Sequence, residues 1–594
     1  MGGRWLSVPL LSALWPIAAC VVALAAFNAI GDTFLASYVL DLGSLGLPNI
    51  RHTCFLFYWT LLGSLAAFFL IVGLKRLLAL APAGAAATGD ERAASRWTWI
   101  GITMAAAFAI AWAVRTFVLR GAALTDDESA YRFTAQLLAT GRLWTPSHPL
   151  KAFFDRAFMI NDGKFYGQYF VGWSALMVPG VYVGATGYMN AVYSALTVPA
   201  LYSVVRRLAG SAAGRVATLL YLASPMLMVG AATEMAHQSC MMALAWSIYF
   251  LLRAQEEPAA WWTHAGVAFF FSLAFMVRPI SALGVGLPVV IWWLVALTRW
   301  PANTRRVALL SFAAPTLVMA ALFLGVNVAQ NGSPFVASYA RLQDYMREVN
   351  YRNVGWSPQS PPLALRDYIL PNREVGRALA ATTVALVRLV FDLFGSPLCV
   401  VLVGLAWAVR SARLAWLSAL SYVLVHFFLS EAGIDSYGPV HFYEMSLPLL
   451  LLCGIGFARL VVLVGEWRPA APASWPLAIV ASLVLVSLVG FAPVRLDALK
   501  RIASNVNAPA DAVREARISN AVIFTTGFFA PQECITPTRH FVLFRPNNDP
   551  DLKNDVLWVN HLGWEQDHQL MRYFPDRVGY LLTWSGCRAQ LMKL

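Results

Sequence analysis

The chain has 594 residues, 59% of them hydrophobic and only 13% charged, about half the charged fraction (roughly 25%) of a soluble globular domain. Apolar blocks of about 20 residues recur along it, each long enough to cross the hydrocarbon layer as a helix. An ordinary soluble enzyme is excluded. The net charge of +13 does not gather into one patch either: Lys and Arg punctuate the ends of alternate apolar blocks, the pattern of cytoplasmic loops, so no nucleic-acid partner is expected.

With the N-terminus placed in the cytoplasm, the first apolar block, about residues 8 to 29 after Arg4, is longer than a secretory h-region and reads as an uncleaved span. A second, about 53 to 74, returns and ends in Lys75-Arg76, so residues 1 to 80 form a transmembrane hairpin. The Ala-, Gly- and charge-rich stretch 81–96 reads as a cytoplasmic linker. A third span, about 97 to 118, delivers the triplet Asp126-Asp127-Glu128 to the outer face. An external loop, 119–188, follows, with helical patches near 128–140 and 168–187 lying at the surface; counting the second as a span would put Arg206, Arg207 and Arg215 outside.

Further spans alternate at about 189–206, 213–231, 237–253, 260–277, 281–298 and 306–328. A second external region, 330–394, ends in an interfacial helix at 377–394 carrying Arg377, Arg388 and Asp392. Spans at about 395–409, 413–430, 444–464 and 474–494 bring the expectation to about thirteen and close a transmembrane domain over 97–495. Beyond it, residues 496–594 are polar, with a helical start and short strand-like runs (NAVIFTT, HFVLF, DVLWVN and VGYLLTW). They predict a small α/β domain, external by span parity. The fold class is thus an α-helical polytopic membrane protein with a small C-terminal α/β periplasmic domain.

Five cysteines (Cys20, Cys54, Cys240, Cys399 and Cys453) lie in or beside apolar blocks and read as small hydrophobes. Cys534 and Cys587 fall in the C-terminal region, and a disulfide between them is left open.

This topology sends acids, histidines and arginines from separate loops to one side of the membrane. The first loop supplies the triplet with His148, Asp155, Arg156, Asp162 and Lys164; the short turns supply Glu234, His237 and Arg278. The second loop adds Arg341, Asp344, Arg347, Glu348 and Arg352, and the last adds Glu431, Asp435, Tyr437, His441, Tyr443 and Glu444. Ionisable groups at a membrane boundary are costly and point to function. Arg and Lys can hold a phosphate by charge-assisted hydrogen bonds, and a carboxylate can take a proton from a hydroxyl. Clustered carboxylates could hold a divalent cation, with Asp126, Asp127 and Glu234 as the candidates. Each group also has a plainer reading. The triplet suits a helix N-terminus, Glu234 and His237 could cap the next span, and His441 and Glu444 could pair one turn apart.

The Asp-Glu at the outer end of an early span, followed by a helix ending LLATGRLW, resembles the first loop of bacterial GT-C glycosyltransferases. These are the protein-mannosyltransferase and aminoarabinose-transferase relatives of glycosyltransferase family 39. FYGQYFVGWSALMVPG, ALTVPALYSVVRRLAG, ASPMLMVGAATEMAHQS, MVRPISAL and YGPVHFYEMSLPLLLL carry the resemblance in order from residue 120 to about 455. It implies transfer of a sugar from a polyprenyl-phosphate donor to a lipid, glycan or protein acceptor at the periplasmic face of the inner membrane, with inversion. It places the catalytic base at Asp127, with Asp126, Glu128 and Glu234 as further acids. Lys164, His237, Arg278, Arg341, Arg347, His441, Tyr443 and Glu444 are the candidates for substrate and phosphate binding. His441 stands near the position where relatives often carry Arg after Tyr-Gly-Pro, and the N-terminal hairpin lies outside the usual core. The alternative is a secondary transporter or lipid flippase, which would also place polar groups at span ends; no internal repeat of the kind transporters carry is visible.

Overall fold

A computed structural model of the chain describes residues 12, 14–27, 50–80, 93–348, 375–428, 433–435, 437–468, 475–525, 546–586 and 588–594. Among the described residues, six helices are long and apolar enough to cross a membrane: Leu56–Leu77, Ala93–Val118, Pro279–Leu297, Ala302–Asn331, Val440–Trp467 and Trp475–Glu515. Ala378–Phe394 and Pro397–Leu405 pass the same test together but are bent by 98°. They occupy the places of the interfacial helix and of the span predicted after it. Met189–Ala209, His237–Glu256, Trp261–Val277 and Arg413–Phe427 are helices where spans were expected, but shorter or less apolar.

The predicted span 213–231 is broken. Ser211–Ala223 ends where Ser224 turns extended (φ −72°, ψ 117°), as a residue before proline must. Pro225–Gly230 restarts the helix, with the Ser224 hydroxyl capping the Leu227 N–H at 3.3 Å. This break delivers the turn 231–236, which holds Glu234. A second proline acts in the same way at Arg278, which has φ −149° between Trp261–Val277 and Pro279–Leu297. Its guanidinium therefore leaves the chain at a helix joint.

Two glycines permit close approaches around the site. A Cβ on Gly172 would meet the Met276 carbonyl at 2.5 Å, and one on Gly230 would strike the Tyr443 ring. The N-terminal hairpin, Leu14–Phe27 and Ile50–Leu80, latches onto the bend after Phe394. Its buried Trp59 indole donates to the Gly395 carbonyl at 2.8 Å and packs between Phe27 and Phe491.

The first long loop, 119–188, folds into the helix Asp126–Ala139, a three-stranded antiparallel sheet and the short helix Val171–Tyr182. The C-terminal sheet runs in the order Val556–Asn560, Ala521–Thr525, Val578–Ser585, Arg588–Lys593. Its first three strands are parallel and the last is antiparallel. The last strand was not anticipated, although Ala589 and Leu591 alternate with the exposed Arg588 and Gln590 and pack on the sheet core. Its core (Val522, Phe524, Leu557, Val559, Leu581) is completed by Phe153 and Phe154 of the first loop. The domain therefore sits on the same side as the acid triplet. It is reached by one helical run, Trp475–Glu515, rather than by a span and a separate helix. The predicted run HFVLF and both Cys534 and Cys587 lie outside the described residues. The five other cysteines are free, four of them buried.

Candidate active site

The triplet opens the helix Asp126–Ala139 just after Thr125, whose side chain makes no capping bond. Three successive side chains on a helix point 100° apart, so the acids face different surroundings. Glu128 is fully buried. Its carboxylate accepts the Leu124 N–H at 2.9 Å, the Glu234 N–H at 2.7 Å and the Tyr437 hydroxyl at 2.5 Å. It thereby ties the first loop, the 231–236 turn and the Tyr437 loop together. Burial and the neighbouring Glu234 raise its pKa, against Arg115 and these hydrogen bonds.

Glu234 is equally buried and is held by two guanidiniums. Arg115 Nη2 donates to Oε1 at 2.5 Å; Arg132 donates to Oε2 through Nε at 2.8 Å and to Oε1 through Nη2. Burial pushes Glu234 up, but Arg132 and Arg115 outweigh it and leave the carboxyl below its usual range. Arg115 sits in a π-turn, Val114–Val118, at the end of an apolar helix, and also donates to the Gly121 and Ala122 carbonyls at 2.9 Å. Such turns recur at functional sites.

Asp127 differs from its neighbours. Asp126 is 3% and Glu128 0% exposed, whereas Asp127 stays partly accessible. One carboxylate oxygen accepts the Tyr169 hydroxyl. Tyr169 stacks on Tyr131, with ring centroids 4.4 Å apart, and meets Tyr339 edge-on at 5.5 Å. Burial raises the Asp127 pKa above the ordinary carboxylate range, with the Tyr169 hydrogen bond and the Arg278 cation pulling the other way.

Arg278 is near enough for its charge to act on Asp127, Tyr131 and Tyr339, and its Nε is 3.1 Å from Glu444 Oε1 and 3.3 Å from Ser281 Oγ. The same Glu444 oxygen is 3.1 Å from His237 Nδ1, and its partner Oε2 accepts from Tyr422 at 2.9 Å. His237 Nε2 is buried without a hydrogen-bond partner, and the Tyr443 hydroxyl donates to Gln238 at 2.7 Å. Glu444 thus pairs with His237 and Arg278, rather than with His441 one turn away.

His441 borders this group, whereas Lys164 and Arg341 do not join it. Lys164 donates to the Ala329 carbonyl at 2.7 Å, in the last turn of Ala302–Asn331, and lies over the Trp144 ring. Arg341 pairs with Asp162. Arg347 lies in Ser338–Glu348, but its side chain is outside the description. The His441 backbone carbonyl accepts from Tyr422 at 2.6 Å, while its Nδ1 is buried without a partner. Among the described residues no three His, Cys, Asp or Glu side chains gather as a metal site. Glu234, already neutralised by two arginines, does not fit as a metal ligand beside Asp126 and Asp127.

Sequence reading passed over Arg115, Arg132, Tyr131, Tyr169, Tyr339 and Tyr422. Arg115 was findable, being a charge inside an apolar helix; the tyrosines carry no signal beyond their type.

Residues 173–325 match the dolichyl-phosphate-mannose-protein mannosyltransferase family, well under half of the chain. The stretch includes Glu234, His237 and Arg278 but neither the triplet nor Glu444. The structure is similar to ArnT from Cupriavidus metallidurans bound to undecaprenyl phosphate, with a TM-score of 0.50 at 12% identity, covering 84% of this chain and 98% of that one. The chain has a GT-C glycosyltransferase fold. ArnT in the apo state gives a TM-score of 0.49 at 14% identity over 82% of this chain and 93% of that one. Mycobacterial arabinofuranosyltransferase AftD gives 0.40 at 14% identity over 78% and 31%. No curated protein sequence matches the chain. At these identities the likeness is one of fold.

Proposed function

We propose that this chain is a membrane glycosyltransferase that moves a sugar from a polyprenyl-phosphate donor to an acceptor hydroxyl, with Asp127 as general base. One observation carries the reading: of the three acids, only Asp127 is partly accessible, and it shares an aromatic-walled space with the Arg278 cation.

Asp127 takes the proton of the acceptor hydroxyl, whose oxygen attacks the anomeric carbon from the face opposite the phosphate. The bond from that carbon to the phosphate oxygen breaks, and the electron pair leaves with the lipid phosphate. Arg278 stabilises the departing anion, because a guanidinium offers several donors to phosphate oxygens. Glu444 holds Arg278 and His237 in place. Glu128, Glu234, Arg115 and Arg132 form the frame that orients the acid helix, and Asp126 and Glu128 are not the base.

A narrow groove, lined by Tyr169, Phe170, Met276, Phe323 and Val326 together with Gln168, Asn327, Gln330 and Ser338, opens beside the Asp127 partner Tyr169. ArnT bound to undecaprenyl phosphate, a neighbour of the same fold, supports a donor of this class. The reading includes a domain order of hairpin 1–80, linker 81–96, transmembrane domain 97–495 and external domain 496–594, with about thirteen spans and the site on the periplasmic side of the inner membrane. No observation favours a transporter.

Titration of undecaprenyl phosphate into the purified protein in nanodiscs tests the lipid half. Arg278→Ala is expected to weaken binding at least tenfold, while Arg341→Ala, whose charge is spent on Asp162, leaves it within twofold. Equal effects of the two would contradict the placement.

A further inference from the structure

A solvent-open cleft lies at the seam between the first external loop and the C-terminal domain. We propose that it is a saccharide-binding subsite that seats the sugar portion of the acceptor. The proposal deepens the glycosyltransferase reading and rests on it.

Position is the first argument. Asp126, Ser129 and Phe133 share one face of the helix Asp126–Ala139, at spacings of three and four, while Asp127 and Tyr131 share the next. Phe133 lines the cleft. Arg156, also in its wall, donates to the Ser129 hydroxyl and to the Pro546 carbonyl, both at 3.1 Å. Asn547 donates to the Ser129 carbonyl at 2.6 Å. The cleft is therefore pinned to the acid helix within one turn of Asp127, on the opposite flank from the aromatic wall that faces Arg278. A donor on one flank and an acceptor on the other would meet at the helix N-terminus.

Chemistry is the second. Phe165 gives the cleft a part-exposed aromatic face, backed by the buried rings of Phe133 and Trp558, while His148 and Arg156 place donors beside it. A stacking face beside hydrogen-bonding groups suits a ring that is apolar on its C–H face and polar at its rim, which is the chemistry of a sugar.

The third argument excludes the other common occupant. Peptides often bind by adding a strand to a sheet edge. Among the described residues Val556–Asn560 is such an edge, but the Asn548 amide already caps it: Trp558 N–H donates to Oδ1 at 2.8 Å, and Nδ2 donates to the Trp558 carbonyl at 2.9 Å. The backbone is closed to a strand where the cleft meets it.

Leu552 lines the cleft with φ of 56°, a conformation rare for a bulky residue. Strained residues of this kind collect at ligand sites.

The test uses the full-length protein in nanodiscs on a broad glycan array and a matched peptide array, together with Leu552→Trp, which fills the cleft. Saccharide signals that fall at least fivefold in the variant support the proposal. Signals on peptides only, no saccharide signal, or signals unchanged in Leu552→Trp overturn it. Should that variant misfold, His148→Ala at the cleft wall is read by the same criterion. Undecaprenyl phosphate binding is measured in parallel. If it persists while saccharide binding is absent, this subsite fails and the glycosyltransferase reading stands; if lipid binding itself is missing, the broader reading fails.

Discussion

Neutralising Glu234 separates framework from catalyst. Its carboxylate is completely buried and shared by Arg115, whose side chain is 3% exposed, and Arg132, which is 33% exposed. Removing one partner of a buried ion pair costs about 3–5 kcal/mol, because the other charge stays behind in a poor solvent. The Arg132 share is small, since a partly exposed guanidinium regains water, and such pairs are worth about 0–1 kcal/mol. Nearly the whole penalty comes from Arg115. Glutamine keeps one acceptor oxygen for it, so Glu234→Gln is expected to cost about 3 kcal/mol. Replacing Arg115 as well, by Met, removes the stranded charge. The double variant is then more stable than the sum of the single losses by about 2 kcal/mol, a coupling within the range for groups in direct contact. Reversible denaturant unfolding of the purified protein in mixed micelles, run as a double-mutant cycle, measures both numbers. A loss under about 1 kcal/mol for Glu234→Gln, or strict additivity with Arg115→Met, would refute the claim that the two share a buried pair.

Three further outcomes are expected. Tyr169→Phe removes a hydrogen bond that lowers the Asp127 pKa, so the acid limb of the kcat/KM profile moves to higher pH; a limb that stays or moves down argues against Asp127 as the titrating base. Glu234 has a lowered pKa in the folded state, so its stabilising contribution is complete above the unfolded value near 4.3 and is lost as pH falls through the folded one. Glu234→Gln should therefore flatten that part of the stability profile, which unfolding at a series of acidic pH values would show. Trp59→Phe loses the bond to the Gly395 carbonyl and is expected to lower stability by about 1–2 kcal/mol while leaving turnover intact; a fall in kcat would instead link the N-terminal hairpin to catalysis.

The helices were legible because apolar blocks of membrane length carry their own signal, and the acid triplet was legible because lipid makes carboxylates conspicuous. The breaks were harder to read. Ser224-Pro225 and the bend before Pro397 sit inside apolar runs, and hydropathy does not weigh a proline. Adjacent acids also look alike in one dimension. The helical turn of 100° per residue sends Glu128 into a cage of three donors and leaves Asp127 partly open, which no spacing rule announces. Lys164 and Arg341 were plausible phosphate ligands by charge and side, yet short-range partners, the Ala329 carbonyl and Asp162, occupy them. Glu444 was picked out, but its true neighbours, His237 and Arg278, come from helices far away in sequence.

The account turns on Asp127 carrying chemistry rather than architecture, and an isosteric swap addresses that most directly. Asp127→Asn, purified and supplied with a polyprenyl-phosphate sugar donor and an acceptor that the unaltered protein uses, should keep its unfolding free energy within about 1 kcal/mol, because the amide oxygen still accepts the Tyr169 hydroxyl, and lose at least a hundredfold in kcat, the low end (about 10²) of what a positioned base contributes. Turnover within tenfold of the unaltered protein would contradict it.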